Sequence, residues 1–125
     1  MKDFNELLSK TIDKVSSNRN LYGRSEVAVR DQLINPILTF LGWDTSDPGL
    51  VIPNARTEDN NIPDYTLIKN AVTQAYVEAK KITLNLKSRT ILLTKNTKTN
   101  KNSNNYYSFS FHINNNIIMI IKLVK

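Results

Sequence analysis

The sequence predicts an α/β protein of the segregated, α+β kind, with helices first and strands after them. Three observations carry this. Apolar residues recur at helical spacing through the first 41 residues. Short runs rich in Val, Ile and Tyr, broken by Asn, Pro and Gly, follow from about residue 50. A length of 125 residues is enough for one domain with a buried core.

The first helix is expected over residues 1–17, because Phe4, Leu7, Leu8, Ile12 and Val15 fall on one stripe with charges between them. Residues 18–23 are expected to break it. There Tyr22 reads as a packed aromatic and Arg24 as a solvated charge, in preference to contacts with DNA. A second helix is expected from Ser25, a good N-cap, to about Leu41. Its stripe is Val27, Leu33, Ile34, Ile37, Leu38 and Leu41, spanning roughly 140° at 100° per residue. Glu26 falls inside that stripe, where a carboxylate needs a partner. Two readings stay open: an i,i+4 ion pair with Arg30, or a side chain reaching toward acids later in the chain. Pro36 removes a backbone donor and should bend the helix, and Gly42 ends it. Trp43 reads as a core or edge aromatic.

Asp47-Pro48-Gly49 is a turn, after which a strand is expected from Leu50 through Arg56 and Thr57. Residues 58–61 form a polar turn. Residues 62–81 then read as a β-hairpin, with Tyr65, Leu67 and Ile68 before a break at Lys69-Asn70 and Val72, Tyr76 and Val77 after it. Alternation puts Glu78 and Lys80 on one face and Ala79 on the other, toward the core. With Lys69 opposite Thr73, Asp64 stands opposite Glu78. Two carboxylates about 5 Å apart would repel each other unless a cation lies between them.

Pro63-Asp64, then Glu78-Ala79-Lys80 after thirteen residues, resembles the signature of the PD-(D/E)xK nuclease superfamily. The wording Ile62-Pro63-Asp64-Tyr65 and Val77-Glu78-Ala79-Lys80-Lys81 is similar to the N-terminal nuclease domain of type I restriction enzyme R subunits. A second stretch is similar to the same domain. It runs from Ser25-Glu26 and Arg30, through Leu33-Ile34-Asn35-Pro36-Ile37-Leu38, to Leu41-Gly42-Trp43-Asp44. The hairpin motif alone is also met by a surface hairpin with solvated charges and an ordinary Glu78 to Lys80 pairing. The two stretches together cover roughly residues 20–81.

The resemblance implies a restriction-endonuclease-like core with N-terminal helices and a mixed β-sheet. It implies metal-dependent hydrolysis of DNA phosphodiester bonds, with Mg²⁺ or Mn²⁺ as the cofactor. Asp64 and Glu78 would be the metal ligands and the Ala79 carbonyl a third, Lys80 would act near the attacking water, and Glu26 would be an outer ligand. Replacing Asp64 or Lys80 by Ala should then abolish nicking while leaving the fold intact. DNA is the expected partner, together with other restriction-modification subunits. No phosphate-binding Gly-rich loop accompanies the three glycines.

After Lys81 the resemblance ends, since a Gln-x-x-x-Tyr helix would be expected and the only glutamines are Gln32 and Gln74. All eleven acids lie at or before Glu78, against eight Lys and Arg, a balance of −3. From Ala79 on, nine Lys and Arg face no acid. Residues 1–94 are assigned to a partial nuclease-like domain and 95–125 to an atypical basic tail. Ile82, Leu84 and Leu86 alternate, residues 95–105 are expected as a flexible loop, and a second hairpin is expected around residues 114–116. Either the tail is a variant completing a sheet and offering a basic surface to nucleic acid, or it is a displaced reading frame in an AT-rich gene. The rival to a nuclease is a truncated non-catalytic module that binds DNA or a restriction-complex partner. A charged N-terminus, no cysteine and no apolar run longer than residues 117–121 point to a cytoplasmic protein with no membrane contact.

Overall fold

The computed structural model describes residues 3–57, 60–82, 91–99, 105–113 and 116–123. The expected turn at residues 58 and 59, the alternation at Leu84 and Leu86, and Asn114 and Asn115 lie outside them.

Helix α1 (Phe4–Ser17) starts at Asp3, whose carboxylate accepts hydrogen bonds from the Asn5 and Glu6 amides, and buries Thr11, Ile12 and Val15. The expected break at residues 18–23 is a helical turn of its own, α2 (Arg19–Arg24), which buries Tyr22. The expected second helix is three pieces: α3 (Glu26–Ala28), a π-helical segment (Val29–Ile34) and α4 (Asn35–Phe40). Pro36 explains the middle piece. It has no N–H to give to the Gln32 carbonyl, which instead accepts from Lys14 Nζ at 3.0 Å. The Asn35 N–H reaches back five residues to Arg30. The wider turn changes the phase of the buried stripe. Val29, Leu33, Ile34, Ile37 and Leu38 are fully buried, whereas Val27 and Leu41, expected in the stripe, are 58% and 54% exposed.

Among the described residues the sheet has six strands: β1 (Val51–Pro53), β2 (Tyr65–Lys69), β3 (Val72–Ala79), β4 (Ile91–Thr99), β5 (Asn105–Ile113) and β6 (Asn116–Leu123). Their order is β1-β2-β3-β6-β5-β4 and every pairing is antiparallel. Among the described residues the sheet is therefore antiparallel and not mixed. Parallel neighbours need a crossover connection, while β2 with β3, β4 with β5 and β5 with β6 are each consecutive in the chain and antiparallel. Residues 95–99, expected in a loop, belong to β4. The first strand ends at Pro53 instead of running to Thr57, because Asn54 turns the chain at φ 52° and gives its N–H to the Asp64 carbonyl.

One face of the sheet carries Val51, Tyr65, Leu67, Ala75, Val77, Ala79 and Met119, all buried in one cluster with the helical residues. The π-helical segment lies on β3 and β6 there. Pro63-Asp64 and Glu78-Lys80 thus sit at the end of β2 and β3 farthest from their turn, with β6 alongside.

Candidate functional site

The turn between β2 and β3 decides which residues meet at that end. Asn70 and Ala71 both have positive φ, 52° and 62°, and close a two-residue turn that sets Lys69 opposite Val72, not Thr73 as expected. Continued unchanged, this register would put Asp64 opposite Val77 and turn it to the helical face. A β-bulge at Gln74 takes up one residue: Ile68 pairs with Thr73 but Leu67 with Ala75. Beyond it Tyr65, the first residue of β2, pairs with Val77, and Asp64, just before the strand, is tied to the Ala79 N–H beside Glu78. Burial of Tyr65 and Leu67 beside Ala75 and Val77 gives the bulge its energetic reason.

Asp64 is half-buried, and its Oδ2 accepts a 2.7 Å hydrogen bond from the Ala79 N–H. Its Oδ1 is uncommitted among the described residues. Glu78 lies between two ammonium groups. Lys80 Nζ is 3.7 Å from its Oε2 and Lys122 Nζ is 3.1 Å from its Oε1. The second contact runs diagonally across the ladder, since Lys122 stands opposite Tyr76 and Glu78 opposite Ile120. The Lys80 amide donates to the Ile118 carbonyl at 2.9 Å, and the Ile82 amide to the Tyr22 carbonyl at 3.0 Å. The end of β3 is therefore held by both β6 and α2.

On the helical side, Tyr65 follows Asp64 and is buried. Its hydroxyl donates to Asn35 Oδ1 at 2.6 Å, and the Arg30 guanidinium lies 5.7 Å from the centre of its ring. Burial pushes the Tyr65 hydroxyl above its usual range, against the opposing effects of Asn35 and Arg30. Arg30 is pushed up mainly by its hydrogen bond to Asp31, 2.9 Å long, with Tyr65 and Asp64 adding to it.

Glu26 is exposed at the start of α3, one turn before the packed stretch. Arg30 turns to Asp31 and Tyr65, and the ion pair between Glu26 and Arg30, one of the two open readings, is absent among the described residues. Among the described residues no three His, Asp or Glu side chains stand close enough to share a metal. The structure thus brings together Asp64, Glu78, Ala79 and Lys80, and leaves Glu26 apart from any such group.

Asp64 and Glu78 are hard oxygen donors of the kind Mg²⁺ takes, and that ion commonly keeps several waters and uses only one or two carboxylates. The donor set fits such an ion. Lys122 and Asn35 escaped the sequence reading. Asn35 had no chemical pattern beyond the Asn-Pro pair, and Lys122 lay 44 residues from Glu78 in a tail without a recognisable motif. No protein-family model, curated protein or solved structure matches the chain.

Proposed function

We propose that this chain is a DNA endonuclease domain of the kind found in type I restriction enzyme R subunits, hydrolysing phosphodiester bonds with Mg²⁺ or Mn²⁺. The observation that carries this reading is that Asp64, just before β2, accepts the Ala79 N–H at the end of β3, between Glu78 and a Lys80 whose Nζ lies 3.7 Å from Glu78.

Asp64 Oδ1 and Glu78 would hold the cation, with the Ala79 carbonyl as the further protein ligand the resemblance suggests. When bound, the cation supplies a polarised phosphate and a more acidic water. The Ala79 amide fixes the Asp64 carboxylate in its rotamer, so that the free oxygen is oriented before any ligand arrives. Lys80, half exposed beside Glu78, is placed to steady the negative charge that grows on the phosphoryl oxygens. Arg30 and Asn35 hold the Tyr65 ring and thereby the backbone next to Asp64. A cytoplasmic enzyme working on DNA with other restriction-modification subunits agrees with this reading. Among the described residues no helix is long and apolar enough to cross a membrane.

Plasmid nicking in Mg²⁺ tests it. Asp64→Asn and Lys80→Met are each expected to slow nicking by about a hundredfold or more. Cleavage by both variants at the wild-type rate would exclude the assignment.

A second reading, a non-catalytic module binding DNA or a restriction-complex partner, is favoured by one feature: both Glu78 oxygens already face a lysine. It requires that purified wild type take up no Mn²⁺ through Asp64 and Glu78.

A further inference from the structure

Lys122 comes from the last strand of the chain, yet its ammonium is closer to Glu78 than that of Lys80, at 3.1 Å against 3.7 Å. The two residues stand on adjacent antiparallel strands, where Glu78 pairs with Ile120 and Lys122 with Tyr76. Both side chains are only part-exposed, Lys122 at 36% and Glu78 at 27%, so water screens the pair less than it would at the open surface. The contact also offsets the charge of a carboxylate that shares this end of β3 with Asp64.

We infer that Lys122 is the built-in counter-charge of Glu78 and competes with a divalent cation for that carboxylate. The inference rests on reading Asp64 and Glu78 as cation ligands, and adds a regulatory residue to that site. A cation that takes Glu78 Oε1 must first displace the Lys122 ammonium. Metal affinity is thereby coupled to the docking of β6 on β3, and the coupling is reciprocal: whatever loosens the Lys122 contact tightens the cation, and the bound cation loosens Lys122. Lys80 is not equivalent. Two residues from Glu78 in the chain and directly after β3, it accompanies the carboxylate wherever β3 goes, whereas Lys122 arrives only with β6.

Calorimetric titration of Mn²⁺ into the full chain tests this, with wild type, Lys122→Met, Lys122→Gln and Lys122→Arg compared. The Met and Gln variants remove the charge and retain most of the stem, and are expected to bind Mn²⁺ about fivefold to tenfold more tightly than wild type. The Arg variant should stay near wild type. The gain should vanish when Glu78→Gln is added. Mn²⁺ should also raise the melting temperature of the Met variant more than that of wild type. Should Lys122→Met fail to fold, Lys122→Gln against Lys122→Arg reads the same contrast. Equal affinity in all four proteins, or no Mn²⁺ binding in any, would overturn the inference. Nicking assayed in parallel keeps the two claims apart: tighter Mn²⁺ binding without nicking leaves the competition standing and removes the nuclease, whereas nicking that needs Asp64 with no effect of Lys122 does the reverse.

Discussion

The Asp64 carboxylate accepts a 2.7 Å hydrogen bond from the Ala79 amide, fastening the acid that precedes β2 to the residue that ends β3. One side chain therefore has a structural duty as well as the chemical one proposed for it. Asp64→Ala, expected from the sequence to leave the fold intact, would strand the part-buried Ala79 N–H. A loss of about 1–3 kcal/mol in urea denaturation is expected. Asp64→Asn keeps an acceptor oxygen and should lose less, about 1 kcal/mol. Equal stability of all three proteins would show that the bond contributes nothing, and a nicking assay should use the Asn variant for this reason.

The turn between β2 and β3 holds a removable strain. Ala71 has φ 62°, in the left-handed region that disfavours any residue with a Cβ. Asn-Gly is the preferred pair for a turn of this shape, and Asn70 already occupies its first position. Ala71→Gly is expected to stabilise the protein by about 1 kcal/mol, partly offset by the added freedom of the unfolded chain. A denaturation midpoint that falls instead would contradict the turn.

Whether residues beyond 94 belong to the folded unit is decided by Met119. It is 1% exposed, stands opposite Ala79, and joins Ile118 in the same core as Val29 and Leu33. Met119→Ala is expected to cost about 2–5 kcal/mol. Leu123→Ala, at an exposed position on the same strand, should stay within about 0.5 kcal/mol of wild type. A chain ending at residue 94 should lack a cooperative transition, because it loses β5, β6 and their share of the core. A cooperative, protease-resistant product of that length would make the tail dispensable.

Much of the site could be read from residue order because its signals are local. Alternation alone places Glu78 and Lys80 on one face and Ala79 on the other, and Ala79 is buried while Glu78 and Lys80 are not. The register differs from the expected one at Lys69, which pairs with Val72 and not Thr73, and the paired residues of β2 begin at Tyr65, one after Asp64. Counting from either end of a hairpin cannot show that an extra residue, Gln74, lies between. Glu26 stands exposed and outside the expected stripe because 100° per residue assumes an unbroken α-helix, and Pro36 replaces one stretch by a wider turn. A mixed sheet is what the resemblance implies, whereas the hairpin expected around residues 114–116 pairs β5 with β6 and joins an antiparallel sheet through β3. The pairing of β6 with β3 is a contact between distant segments, which periodicity does not report.

By itself the sequence determined the local choices: a first helix ending at Ser17, a proline that interrupts the next one, and a hairpin that turns at Asn70 with Ala79 facing the core. These follow from side-chain spacing and backbone donors, which act within a few residues. Only the tertiary structure decided that a bulge pairs Tyr65 with Val77 and leaves Asp64 on the Ala79 amide, that Arg30 lies over Tyr65 and not beside Glu26, and that Lys122 reaches Glu78 from the far end of the chain. The physical reason is common to all three. Each is set by which surfaces are buried together and by the charges left facing one another when that burial is complete, and neither exists until the sheet is assembled against its helices.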